Sequence, residues 1–167
     1  MRLFLVILTT TLASFASCEE GATKLALDKI PASVTAAAVA ALPGFTAASA
    51  TSEVEDGNTS YDLLGKVAGK EATVEVEVDA KGKITIEATD VEVAVDQIPA
   101  AIKAAAIKAA PGLQITEADR ETEDGKTSWT LEGTQAGKKV EVEVEVKADG
   151  SFETDVESKE TEAEKAK

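Results

Sequence analysis

The sequence predicts an α+β protein built from two tandem repeats, each a short helix packed on a four-stranded antiparallel sheet. The motif Asp-Lys-Ile-Pro-Ala at residues 28–32 returns as Asp-Gln-Ile-Pro-Ala at 96–100, a period of 68 residues. In that register, residues 28–87 and 96–155 are identical at 29 of 60 positions without a gap. An alanine-rich segment of helical period follows each motif, and a run of alternating Val and Glu occurs late in each copy.

The repeat divides the chain into five segments. Each copy is close to the size at which a single hydrophobic core becomes marginal, so we expect the two copies to support each other. The predicted segments are a signal peptide at 1–17, a tether at 18–22, a first repeat at 23–89, a second repeat at 90–157 and a charged tail at 158–167.

The first seventeen residues predict export from the cytoplasm. Met1 and Arg2 precede the apolar run 3–8, and small residues follow up to Ser17. This segment is too short for a permanent membrane span and has the composition of a secretory signal. We therefore expect the protein in the periplasm or cell envelope, or secreted.

Two cleavage sites are compatible with this leader. Ser14, Phe15 and Ala16 fit the small-x-small rule of general signal peptidase, whereas Phe15 to Cys18 resembles a bacterial lipobox, with Phe where Leu is usual. The lipobox is favoured because Cys18 is the single cysteine of the chain and stands at the end of the leader. Cys18 is then the predicted lipidation site, and its acyl chains are the expected membrane contact.

Each helix has clear start and stop signals. Pro31 and Pro99 supply a preset φ at a helix start, where the missing N–H is harmless. The Pro-Gly pairs at 43–44 and 111–112 end the helix after about three turns. The smooth alanine faces favour close packing on a sheet.

The remainder of each copy has the pattern of antiparallel strands. Asp-Gly pairs at 56–57 and 124–125 predict hairpin turns, and Tyr61 or Trp129 on the following strand is expected to anchor the core. Valines alternate with glutamates at 74–78 and 140–146, so within each strand the valines share one face and the glutamates the other. Conflicting alternation in 45–54 predicts a bulge near Ala50.

The chemical inventory argues against an enzyme. The chain has no histidine, its one cysteine lies at the leader junction, and it contains neither a Gly-rich phosphate loop nor a Gly-x-Ser-x-Gly motif. Nucleophile–base pairs of the usual kinds cannot be assembled from such a set, and the softer zinc ligands are missing. We predict no catalytic residue, no metal site and no cofactor.

The acidic balance is the main functional signal. The chain has 31 acidic and 17 basic residues, a formal net charge of −14, which excludes nucleic acid as a partner. Carboxylates on alternate residues lie about 6.5–7 Å apart along a strand, too far for tight chelation by neighbours alone. A solvated face, a basic protein partner and weak calcium binding all remain open for these glutamates. The candidate partner-binding residues are Glu75, Glu77, Glu143 and Glu145.

The order of these motifs resembles the PepSY-like domain, which is related to the β-lactamase-inhibitor-protein fold. The resemblance rests on the Pro-started helix, the Pro-Gly stop, the Glu-Asp-Gly hairpin, the aromatic strand, the Gly-Lys turn and the Val-Glu alternation, and it covers residues 23–157. It implies an exported, non-enzymatic module that binds, restrains or inhibits an envelope protein such as a peptidase. An acidic structural or weakly cation-binding surface protein is the alternative.

Overall fold

The strands of this protein form one antiparallel sheet in which spatial order follows chain order. The structure, a computed structural model, describes residues 22–159. The strands are β1 (Thr23–Leu25), β2 (Thr46–Glu55), β3 (Asn58–Val67), β4 (Lys70–Val78), β5 (Ile84–Glu92), β6 (Gln114–Glu123), β7 (Lys126–Gln135), β8 (Lys138–Val146) and β9 (Phe152–Lys159). The helices are α1 (Ala32–Ala41) and α2 (Ala100–Ala109), each preceded by a short 3₁₀ turn, at Leu27–Lys29 and Val95–Gln97.

Both helices begin and end where the sequence predicts. Pro31 and Pro99 occupy the N-cap positions in extended backbone conformation. At the other end, the amide of Leu42 donates to the Ala38 carbonyl, and that of Ala110 to the Ala106 carbonyl. The helices cover one face of the sheet, with α1 over β4 and β5 and α2 over β8 and β9.

Tight turns connect the strands within each copy. The predicted Asp-Gly hairpins have positive φ at both central residues, 53° and 85° in the first copy. The Ala68-Gly69 and Ala136-Gly137 turns have the same conformation, with φ of 51° at Ala68 and 50° at Ala136. Two positive φ values mark the turn geometry that matches the twist of paired strands. The alanines adopt it at a steric cost that glycine does not incur.

A bulge near the start of β2 brings its backbone against a glycine of β3. The register shifts between Ala47 and Ser49, slightly before the predicted position, and the same shift occurs between Ile115 and Glu117. A Cβ on Gly65 would lie 2.2 Å from the Thr46 carbonyl oxygen. Only glycine fits this close approach.

Two separate hydrophobic cores lie between the helices and the sheet. The core of the first copy includes Val34, Leu63 and Val76, and that of the second includes Trp129 and Leu131. Tyr61 packs at the margin of the first core and Trp129 is buried in the second, so both aromatics lie where the sequence predicts. Val93 packs against both cores.

The two copies are joined through the sheet itself, which the sequence does not predict. The last strand of the first copy, β5, pairs with β6 over five residues, from Ala88–Glu123 to Glu92–Asp119. We call this pairing the joint. One nine-stranded sheet therefore replaces two four-stranded ones. The predicted boundary at 89/90 falls inside β5, and β9 extends two residues beyond the predicted end of the second repeat.

Candidate functional site

No helix among residues 22–159 covers one face of the sheet, and this face contains the predicted glutamates. On β4 and β8 the buried valines face the helices, so the alternating residues point to the opposite side. Glu75 and Glu77 lie there on β4, and Glu143 and Glu145 lie there on β8. We call this surface the helix-free face. Within each strand the glutamates lie opposite the valines, and the pairing of β5 with β6 brings both pairs onto the same face.

The four predicted glutamates form two separate pairs. Four strand spacings separate β4 from β8, which corresponds to about 19 Å. Desolvation, followed by the nearby carboxylates of Asp155 and Glu145, raises the pKa of Glu143. Lys147 donates to Glu145 at 2.8 Å and lowers the pKa of that carboxyl. Glu143 and Glu145, although neighbours on the same face of β8, therefore have different electrostatic environments.

The space between these pairs is filled by carboxylates of the joint. Asp90 of β5 lies directly opposite Glu121 of β6, and Glu92 lies opposite Asp119. Like charges on directly opposed residues destabilise a strand pair. We call Asp90, Glu92, Asp119 and Glu121 the acidic seam.

Desolvation and nearby carboxylates raise the pKa of seam residues that lack an ion pair. Desolvation, followed by the nearby charges of Asp90 and Glu117, raises the pKa of Asp119 to about 7. Desolvation also raises the pKa of Asp90, and that of Glu121 rises by desolvation and the charge of Asp90. Lys70 makes an ion pair with Glu92, and this contact raises the pKa of Lys70. Within residues 22–159, Asp90, Asp119 and Glu121 make no ion pair with a lysine or arginine.

A shallow depression lies next to the seam on the helix-free face. Its volume is about 230 Å³. Its lining combines residues from four consecutive strands: Asp62, Thr73, Glu75, Ala88, Asp90 and Glu121. Asp62 accepts a hydrogen bond from the Thr51 hydroxyl at 3.1 Å, which fixes one wall. The predicted Glu75 thus borders the seam, whereas Glu143 lies on the far side of it.

Sequence reasoning missed the acidic seam. Acidic residues alternate in β6, at 117, 119, 121 and 123, which is a signal of the same kind as the Val-Glu runs. The intervening residues of β6 include Arg120 and Thr122 rather than valines, so the apolar half of the pattern is absent. The pairing with β5, which creates the seam, depends on contacts between the copies.

The described residues show no metal site and no membrane span. Within residues 22–159, no group of three or more Asp, Glu, His or Cys side chains is arranged to hold a metal ion. Neither described helix is long and apolar enough to cross a membrane. The predicted lipidation site, Cys18, lies outside the described residues.

Most of the second copy matches a known family model. Residues 99–149, from the start of α2 through β8 to the following turn, match the PepSY family model, described as "Peptidase propeptide and YPEB domain". This part of the chain is similar to the PepSY domain. The predicted resemblance is therefore confirmed for the second copy, and the first copy is linked to it through the repeat.

A solved structure provides a more distant comparison. A BLIP-like protein from Bacteroides fragilis is 18% identical, and the match covers 77% of this chain and 87% of that chain with a TM-score of 0.47. No curated protein matches the chain.

Proposed function

We propose that this protein is an exported, non-enzymatic binding module that holds a basic protein partner against its helix-free face. The observation that carries the proposal is the position of carboxylates from both copies on one uncovered surface. The predicted glutamates occupy its two sides, and the acidic seam lies between them. A surface with one sign of charge attracts and orients a partner of the opposite sign.

The PepSY match supports a peptidase or another envelope protein as the partner. The family description includes peptidase propeptides, which are segments that belong to the peptidases themselves. In this proposal the leader 1–17 directs export, Cys18 carries a lipid, and the acidic face restrains the partner near the membrane.

A partner bound at the acidic seam should change the protonation of its carboxylates. A lysine or arginine placed beside Asp119 would favour its ionised form and lower its raised pKa. Binding near pH 7 would then release protons from the seam. We expect the heat of binding in a calorimeter to depend on the ionisation enthalpy of the buffer, which distinguishes a partner on the seam from one bound elsewhere.

The test is affinity capture from the native envelope extract with two matched variants. The face variant carries Glu75→Gln, Glu77→Gln, Glu143→Gln and Glu145→Gln. The control carries Asp28→Asn, Asp56→Asn, Asp96→Asn and Asp124→Asn, which removes the same charge from short helical and hairpin turns. We expect wild type and control to retain the same protein, released by salt, and the face variant to lose it.

Equal retention by the face variant and the control would contradict the proposal. If neither wild type nor the control captures a protein, and calcium stabilises wild type against unfolding, the cation-binding alternative would be favoured.

A further inference from the structure

The outer edge of β9 differs from the equivalent edge in the first copy. Thr89 of β5 pairs with Val74, and Val156 of β9 pairs with Val142, the counterpart of Val74 one repeat later. On its outer side β5 is joined to β6, and Thr89 is only 9% exposed. No described strand pairs with the outer side of β9, and Val156 is 40% exposed.

The β9 edge is long and regular. It pairs with β8 over eight residues without a register shift, contains no proline and is exposed from Phe152 to Ser158. In the first copy, by contrast, the register between β4 and β5 shifts near Glu75. Regular edges of this kind accept another strand, and proteins usually prevent it with bulges, prolines or charged side chains. The charges of β9 are mainly acidic, so they disfavour an acidic strand and not a basic one.

The two faces of this edge have opposite character. On the helix side, Phe152 and Thr154 form a groove of about 590 Å³ with alanines of α2, including Ala101 and Ala105. Phe152 is 40% exposed. Lys108 also lines the groove and disfavours a cation there. On the helix-free side, by contrast, three successive side chains are acidic: Glu153, Asp155 and Glu157.

We propose that β9 is a docking edge for an extended peptide in which basic and apolar residues alternate. Such a peptide would add to the sheet as a tenth strand, with its apolar side chains over the groove and its basic side chains beside the carboxylates. The joint between β5 and β6 is the same type of pairing within this fold. A second copy of β9 fits less well, because antiparallel pairing centred on Val156 would place Asp155 opposite Glu157.

Two features define how the added strand would attach. The amide of Val156 donates to its neighbour Asp155 Oδ1 at 2.9 Å, and a basic residue on the peptide would compete for this carboxylate. Lys147 contacts Glu153 at 2.5 Å and neutralises the acidic row near the start of β9. The strongest attraction is therefore expected toward Asp155 and Glu157.

The probe is a fluorescein-labelled octapeptide of alternating lysine and valine with blocked ends, titrated with the protein and followed by fluorescence anisotropy. A control peptide of the same composition, with its lysines and valines in two separate blocks, tests whether the alternation is required. The alternating peptide with an N-methyl group on every second amide tests whether binding requires backbone hydrogen bonds between the peptide and β9. We expect binding of the alternating peptide alone, together with slower hydrogen exchange of β9 amides.

Matched variants locate the binding site. Val156→Lys should weaken binding at least tenfold, whereas Val54→Lys, at an exposed valine of β2, should leave it within twofold. The face variant described above should still bind the peptide, because β9 itself is unchanged. Binding should be somewhat weaker, because Glu143 and Glu145 lie opposite Asp155 and Glu153 on the neighbouring strand. Loss with the face variant and retention with Val156→Lys would place the peptide on the helix-free face and overturn the edge proposal, while leaving the proposed function intact.

Two further results would overturn the proposal. Strong protection of the outward β9 amides in the free protein would show that another segment or a second copy already covers the edge. Equal binding of the alternating, block and N-methylated peptides would show charge attraction without strand addition.

Discussion

Replacing Asp119 by Asn should stabilise the protein at neutral and alkaline pH. The side chain lies in the acidic seam, where burial and neighbouring carboxylates raise its pKa from the ordinary value of 3.8 to about 7. A carboxyl with a raised pKa binds more protons in the folded state, so stability decreases as pH rises from about 4 to about 7. Asparagine has the same shape and no charge to desolvate.

The expected gain in the free energy of unfolding follows from the size of the pKa shift of Asp119. About three pKa units at 1.36 kcal/mol each correspond to about 4 kcal/mol for a fully desolvated group. Asp119 is only half-buried, and solvent screens part of the repulsion. We therefore expect Asp119→Asn to raise the free energy of unfolding by about 1–2 kcal/mol at pH 8.

Urea denaturation at pH 8 and pH 3.5 measures this difference. At pH 3.5 the carboxyl is protonated in most folded and unfolded molecules, so the advantage of asparagine should nearly vanish. Asp28→Asn, in an exposed turn outside the seam, is the control and should leave stability within about 0.5 kcal/mol at both pH values. Absence of a gain at pH 8, or an equal gain at pH 3.5, would refute the electrostatic explanation.

Three further predictions concern the turns, the bulge and the core, and unfolding in denaturant measures all of them. Ala136→Asn should stabilise by about 0.5–1 kcal/mol, because asparagine tolerates the positive φ of this turn better than alanine; no gain would mean that the strain is relieved elsewhere. Gly65→Ala should cost about 2 kcal/mol or more, since its Cβ would lie 2.2 Å from the Thr46 carbonyl oxygen; a neutral effect would require the bulge to move. Leu131→Ala should cost about 3 kcal/mol, because this side chain is completely buried; a loss below 1 kcal/mol would contradict its place in the core.

The elements within each copy could be predicted because their signals are local. Proline and glycine mark the helix ends, Asp-Gly pairs mark two hairpins, and alternating valines identify the helix-facing side of β4 and β8. Even the bulge was detectable, since it reverses the alternation within 45–54. These features depend on residues close together in the chain.

The joint and the acidic seam depend on contacts that have no local signature. Whether β5 pairs with β6 is decided by where α2 packs and by the fit of two strand edges. Asp90 and Glu121 become neighbours only through that pairing. The face of the predicted glutamates could thus be identified, but the carboxylates at its centre could not.

Neighbouring strands of the sheet are also consecutive in the chain, so most strand pairings can form locally during folding. Six of the eight strand pairings are hairpins closed by short turns, which form without a large loss of chain entropy. Pairing of β5 with β6 must instead close a loop that contains α2, and it brings like charges together. We expect each copy to collapse early around its own core, and the joint to form last and set the refolding rate, which should rise in mildly acidic solution.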